Sequence, residues 1–573
     1  MFATLPNNAL EFMSWKWEQI APYFEELAAR PLTADTLHQW LVDWSAISKL
    51  LSERFARLRT ATTQDTNDEA ADQAYNTFLE KIFPPAQTAE QQLKAKLLQS
   101  GLTIEGMELP IRKMQTDADL FSEANLPLMA EEQKMASQYN RILGGQTVVW
   151  EGEEKTLTQL NPLRESLDRE VRERVWRLAA ERQLADRDTI NALWREFMAL
   201  RKEIAANAGY DDYRAYRWKL LKRFDYTPED SLQFHRAIEE VVVPAANRIY
   251  EAVAAELGVA RLRPWDVVAD VFPISTHTLR PFIDMAELEE TAAVIFNKIH
   301  PKVGQYFATM RAEGLLDLPN RKGKGPGAYC TYFPVQKRPF IFMNAVGTAS
   351  DVKTLLHEAG HAFHGFEAGD LPYPYQRHPG AEFAEVASMS MELLASPYLT
   401  ADQGGFYQSA EDAAWHKLGH LQKIVTFWPY MAVVDAFQHW VYANHTAATN
   451  PANCDEKWAE LWQRFIPAVD FSGFEEVRDT GWHRKLHIHK YPFYYVEYGM
   501  AQVNAIQVWA NALRDQETAI EQYLHALSLG GTRSLPELYA AAGGRFQFDA
   551  PAMQEIVDLL EQQMAAYRRQ AMG

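Results

Sequence analysis

The segment "TLLHEAGHAFHGFE", residues 354–367, sets three histidines and a glutamate into the eight positions from His357 to His364. His357 and His361 are four apart. On an α-helix that is roughly 40° of rotation and one turn of rise, so both imidazoles can point at one ion. Glu358 stands at the edge of the same face, where it reaches a water beside the ion and not the ion itself. This is the HExxH arrangement of two metal ligands and a general base. Chance alone produces it in a chain of this His and Glu content on the order of a few per cent of the time. The apolar Leu355, Leu356, Ala359, Ala362 and Phe363 make the helix a buried one, and uncompensated histidines there would be costly to desolvate. A bound metal accounts for them; a solvated face does not.

A zinc centre built for hydrolysis wants a third protein ligand and one open position. The available donors are His364, Glu367, Asp370, His378, Glu382, Glu385 and Glu392. His364 shares the face of the first two but asks one helix for an awkward reach. The segment "PGAEFAEVASMSMELL" (379–394) predicts a second helix opening near Gly380 and Ala381, and a carboxylate from it is the expected ligand. Glu382 and Glu385 are three apart on one face. Spacing by itself does not choose among Glu382, Glu385 and Glu392.

The rest of the chain bounds what such a centre could serve. At 573 residues it is too long for one simple core. With 47% hydrophobic and 23% charged residues it has the composition of a soluble globular protein. The net charge of −19 argues against nucleic acid or an anionic membrane as the main partner. The only two cysteines, Cys330 and Cys454, provide no disulfide framework and no cysteine-built zinc ribbon, and they fit a reducing compartment. "MFATLPNNALEFMSWKWEQI" lacks a basic stretch leading into an apolar one, and the longest uncharged run, Tyr498 to Leu513, falls short of a membrane span. A cytoplasmic protein is expected.

Helical periodicity dominates. In "LHQWLVDWSAISKLLSERF", Leu37, Trp40, Leu41, Trp44, Ile47, Leu51 and Phe55 form one buried face. The polar "ATTQDTNDEAAD" (61–72) is an exposed connection, with Thr66, Asn67 or Asp68 as the next N-cap. "GGQTVVWEGEEKTLTQL" (144–160) predicts a short hairpin. A domain boundary is placed beside it, giving a helical region at 1–145 and a catalytic region at 146–573. "GAYCTYFPVQKRPFIFMNAVGT" (327–348) predicts further strands. The preceding "KGKGPG" lacks Walker spacing and leads into a strand, so it is a loop feeding a small sheet, not a phosphate loop. In "LHIHKYPFYYVEYGMA", Pro492 is the expected first residue of a helix on which Tyr498 shares a face with Tyr494 or Tyr495. Aromatics at that spacing are ordinarily core.

"HEAGHAFH", followed 24 residues after His361 by Glu385 in "EFAEVAS", resembles the thimet oligopeptidase/oligoendopeptidase F family of zinc metallopeptidases. "RPWD" (263–266), "GKGPGAYC" (323–330), "RPFIFMNAVGTASDVKTLLHEAGHAFH" (338–364) and "LHIHKYPFYYVEYGMAQ" (486–502) resemble its oligoendopeptidase F branch. The likeness covers roughly residues 160 to 570; the first 140 match only in being helical and in length. It implies a mainly α fold: a large multi-helix body with a deep substrate channel and small β elements beside the zinc-binding helix. It implies His357, His361 and Glu385 as ligands of one Zn2+ per chain and Glu358 as general base. The family's Glu-x-Pro-Ser is here Glu385-Val386-Ala387-Ser388, a small departure. His364 and Glu392 then become groups that orient the ligands. His487 and Tyr498 are implied as donors to the scissile carbonyl, with Tyr495 as a further substrate contact and His489 as the rival histidine. The family also implies that the strand around Ala345 to Gly347 is an edge that holds extended peptide through its main chain.

The function expected is a zinc endopeptidase that cuts internal bonds of short unstructured peptides, with Glu358 taking the proton of the attacking water. Two alternatives remain open: a zinc carboxypeptidase, which would need the substrate's free carboxylate, and a peptide-binding protein without chemistry.

Overall fold

The computed structural model describes residues 2–164, 166–267 and 279–572. The predicted helical character holds. Leu37, Trp40, Leu41, Trp44, Ile47 and Leu51 are buried on one face of α1 (Ala34–Gln64), with Phe55 partly buried beside them. The connection that follows is short. Of the three N-cap candidates it is Asp68 that caps α2 (Glu69–Lys81), accepting from the Ala71 amide at 3.0 Å.

The predicted hairpin is β1 (Thr147–Trp150) and β2 (Glu153–Thr156), antiparallel around Glu151 and Gly152. Both turn residues have positive φ, 52° and 87°, the handedness that matches strand twist. A second sheet joins β3 (Leu316–Pro319), β4 (Tyr329–Phe333) and β5 (Arg338–Ala345) in the order β3-β5-β4. β3 pairs parallel with β5, and β4 pairs antiparallel. The "KGKGPG" loop does feed this sheet, and it is tied down: the Gly325 amide donates to the Thr63 carbonyl at 2.7 Å and Gly323 accepts from the Thr66 amide.

Two helices follow. α3 (Ala349–Ala368) carries "HEAGH", and α4 (Ala381–Leu394) opens after Gly380, as predicted. The turn into α3 is held by Asp351, whose carboxylate accepts from the amides of Val346, Gly347 and Thr348 at 2.8–2.9 Å. Further on come α5 (Ala410–Ala443) and α6 (Tyr495–Ala512). Pro492 does not open α6. Phe493 takes a left-handed φ of 67°, its amide donating to Gln438 and its carbonyl accepting from Arg223, so the helix starts only at Tyr495.

The chain divides into two compact units, neither a continuous stretch. The first comprises Met1–Asp119, Leu279–Ser409 and Asn504–Phe546; the second comprises Leu120–Thr278, Ala410–Val503 and Gln547–Gly573. The expected boundary at 145/146 lies within the segment 120–278 of the second unit. Among the described residues no helix is long and apolar enough to cross a membrane.

Candidate metal centre

In the first unit, α3 and α4 pack backbone to backbone. Gly360 makes this possible: a Cβ there would stand 2.5 Å from the Ala387 carbonyl oxygen. The crossing carries Glu385 to the histidines. Its Oε2 lies 3.5 Å from His357 Nε2 and 3.7 Å from His361 Nε2. Ligands about 2.1 Å from one ion at tetrahedral angles stand about 3.4 Å apart, so these separations suit one shared cation. The two histidines and Glu385 are the one group of metal-type donors that meets in this way among the described residues.

The surroundings set the donors. His357 Nδ1 lies 2.6 Å from Glu392 Oε1, which directs the ring and leaves Nε2 for the cation side. Lys353 stands 3.6 Å from the other Glu392 oxygen. The Ser388 hydroxyl is 3.0 Å from Glu385 Oε2. Glu358 is buried, and burial raises its carboxyl to about 7 against the opposing pull of His357; a hydrogen bond from the Cys330 backbone holds it. Burial also raises Glu385. His361 is pushed well below its usual range by burial and by His357. At His357 burial works the same way but is outweighed by Glu392, Glu385 and Glu358, so it rises. Three carboxyls thus crowd two imidazoles, and a divalent cation is what this donor set lacks to balance it. The residues fit zinc, with mixed nitrogen and oxygen ligands and room for one more.

The other sequence candidates are engaged elsewhere. Glu367 binds Lys302 and Tyr306, and Asp370 binds Lys337. Glu382 is buried in the opening turn of α4, its carboxylate lying over Gly380. His364 is buried edge-on against Phe383, and burial lowers it to about 4. His378 is lowered by burial and by Lys113.

The second unit holds the tyrosine segment. His487 sits among aromatic rings, its centroid 4.8 Å from Tyr495 and 6.1 Å from both Tyr494 and Tyr498. His487 and Tyr498 are half-buried, and Tyr495 is buried. Burial, with help from Lys485, lowers His487 to about 3. Lys485, which sequence reasoning missed, places Nζ 3.6 Å from the Tyr495 ring centroid. His489 points the other way: it is fully buried, stacked on Tyr139 at 4.3 Å and near Trp482 and Trp194. The structure groups His487, and not His489, with the tyrosines.

The strand 339–347 is not an edge along its length. β5 is the middle strand, paired on both sides, and the Ala345 carbonyl already accepts from the Asn320 amide at 3.1 Å. The Gly347 amide is held by Asp351. β4 reaches only as far as Phe342, opposite Tyr329, so from Met343 onward β5 lacks a β4 partner among the described residues.

Comparison with known proteins agrees with this geometry. The model of peptidase family M3 matches residues 163–558. Oligopeptidase PepF of Bacillus subtilis (strain 168) is 23% identical over 394 residues, 63% of this chain and 56% of that protein. An oligoendopeptidase F homolog of Borreliella burgdorferi (strain ATCC 35210 / DSM 4680 / CIP 102532 / B31) is 22% identical over 301 residues, 51% of this chain and 48% of that protein. The chain thus spans about half the length of the curated relatives it matches. Among solved structures, PZ peptidase A with inhibitor 2 superposes with a TM-score of 0.85 at 28% identity, covering 99% of both chains.

Proposed function

Since this chain belongs to peptidase family M3, in its oligoendopeptidase F branch, we propose that it is a zinc-dependent endopeptidase acting on short, unstructured peptides in the cytoplasm. The observation that carries the reading is the meeting of His357 Nε2, His361 Nε2 and Glu385 Oε2 at ion-sharing distances, with Glu358 buried beside them.

In this reading His357, His361 and Glu385 hold one zinc ion. When bound, zinc supplies Lewis-acid polarisation of the scissile carbonyl and acidifies water. Glu358 takes the proton from the attacking water on a carboxylate oxygen and passes it to the departing amine. Its buried setting suits both roles, because a carboxyl raised toward neutrality gains and loses a proton readily. Glu392 holds His357 at Nδ1. His487 and Tyr498 donate hydrogen bonds to the substrate's carbonyl as charge develops there, and Tyr495 buttresses them. The unpaired end of β5, around Ala345 and Gly347, offers main-chain groups to an extended peptide, which a sequence-tolerant peptidase needs. The acidic chain makes nucleic acid an unfavourable partner.

An internally quenched peptide of roughly ten residues, amidated at its C-terminus, tests this reading. Internal cleavage that is lost with a chelator and in Glu358→Gln is expected. Failure on the amidated peptide with trimming of its free-acid twin would make the protein a carboxypeptidase. Inactivity on both, with zinc bound, would leave a peptide-binding protein.

A further inference from the structure

In the first unit, the linker from Gly369 to Gly380 joins α3 to α4 and carries Arg377, only 7% exposed. Arg377 Nη2 donates to the carbonyls of Gly369 at 3.2 Å and Leu371 at 3.3 Å. Its Nε and Nη1 are buried with no acceptor among the described residues. The guanidinium lies 5.8 Å from the ring centroid of Tyr332 on β4. The Tyr332 hydroxyl, close against Gly369, is also buried without a partner.

α1 adds a third donor. The hydroxyls of Ser48 and Tyr375, 3.0 Å apart, fasten α1 to the same linker. The next residue, Lys49, is half-buried. Burial, then the charges of Arg377 and Lys337, bring its ammonium down to about 8. The charged groups around them are already engaged. Glu53 accepts from Arg57 and from the Val335 and Gln336 amides. Asp370 pairs with Lys337 at 2.9 Å, and Arg338 with Glu313 at 2.7 Å.

Two cations and a phenol therefore converge with spare N–H and O–H groups and no acceptor between them. Buried donors left bare are costly, and neighbouring like charges add to that cost. We propose that Lys49, Arg377 and Tyr332 form a binding site for a small inorganic anion, which braces the linker between α3 and α4. The anion accepts from Arg377 Nε and Nη1, the Tyr332 hydroxyl and Lys49 Nζ, the charge-assisted contacts typical of anion recognition. The proposal does not depend on the peptidase reading.

Thermal melting of the full chain in sodium chloride and in sodium gluconate, at matched ionic strength, reads the site. A saturable, chloride-specific rise in Tm is expected for the wild type and is expected to vanish in Lys49→Met. No chloride-specific rise in the wild type, or an equal rise in Lys49→Met, overturns the proposal: water then satisfies the donors, or the anion binds elsewhere. Should Lys49→Met fail to fold, wild-type crystals soaked in bromide decide. An anomalous peak in contact with both Arg377 and Lys49 supports the site, and its absence overturns it.

Discussion

Gly360 of α3 lies so close to α4 that a Cβ at this position would stand 2.5 Å from the Ala387 carbonyl oxygen and 2.6 Å from Ser388 Cα. Backbone atoms cannot step aside as a flexible side chain can. The Gly in "HEAGH" thus sets the distance at which Glu385 meets the two histidines. Gly360→Ala is expected to cost about 1–3 kcal/mol or more through overpacking and to lower metal content together with stability. Melting and zinc analysis of the purified variant check both. Native melting with one zinc per chain would contradict this account.

Glu392 acts through His357. The 2.6 Å contact to Nδ1 fixes which nitrogen faces the ion. Glu392→Gln keeps a hydrogen-bonding group but loses the charge, and metal affinity is expected to fall roughly 10–100-fold. Competition against a chromophoric chelator measures it, and activity should return toward the wild-type value at saturating zinc.

The two histidines of "LHIH" should separate by phenotype. His487 is half-buried among Tyr494, Tyr495 and Tyr498, whereas His489 is stacked on Tyr139 in the core. His489→Ala removes a buried ring and is expected to lower stability by about 2–4 kcal/mol. His487→Ala and Tyr498→Phe should leave melting and zinc content close to native and cut kcat roughly 10- to 1,000-fold. If His489→Ala proved stable and inactive instead, the assignment would be reversed.

Asp435 is a stability element of the second unit. It is fully buried, with His235 Nε2 at 2.9 Å and His439 Nε2 at 3.3 Å from the same carboxylate oxygen. Burial opposes its charge, but His439 and His235 prevail and hold the carboxyl well below its usual range. A depressed carboxyl contributes stability that is fully present above its unfolded value, near 4, and is lost as pH falls through the folded value. Asp435→Asn should therefore cost about 1.5–3 kcal/mol at pH 7, with the gap to wild type closing below pH about 4. Urea melts from pH 8 to pH 3 follow it; a gap that ignores pH would refute the argument.

Local patterns made much of the molecule legible. The face of α1, the Asp68 cap, the β1–β2 hairpin and the opening of α4 at Gly380 depend on side chains a few residues apart, so their signals lie within one window of sequence. Pro492 misled because Phe493, held left-handed by Gln438 and Arg223, delays α6 until Tyr495. Both partners lie far away in the chain. β3 escaped notice because "LDLP" is too short to show a period, and its place as neighbour to β5 is what makes β5 central.

By itself, the sequence determined the mainly helical build and the His357–Glu358–His361 triplet on one helix, because helical geometry alone spaces those side chains. It also narrowed the third donor to a carboxylate of the next helix. Only tertiary structure decided which carboxylate, because the choice rests on how closely α3 and α4 cross at Gly360. The same holds for Glu392 on His357, for His487 over His489, and for the two interleaved units. Each depends on contacts between residues distant in the chain, and no local period encodes them.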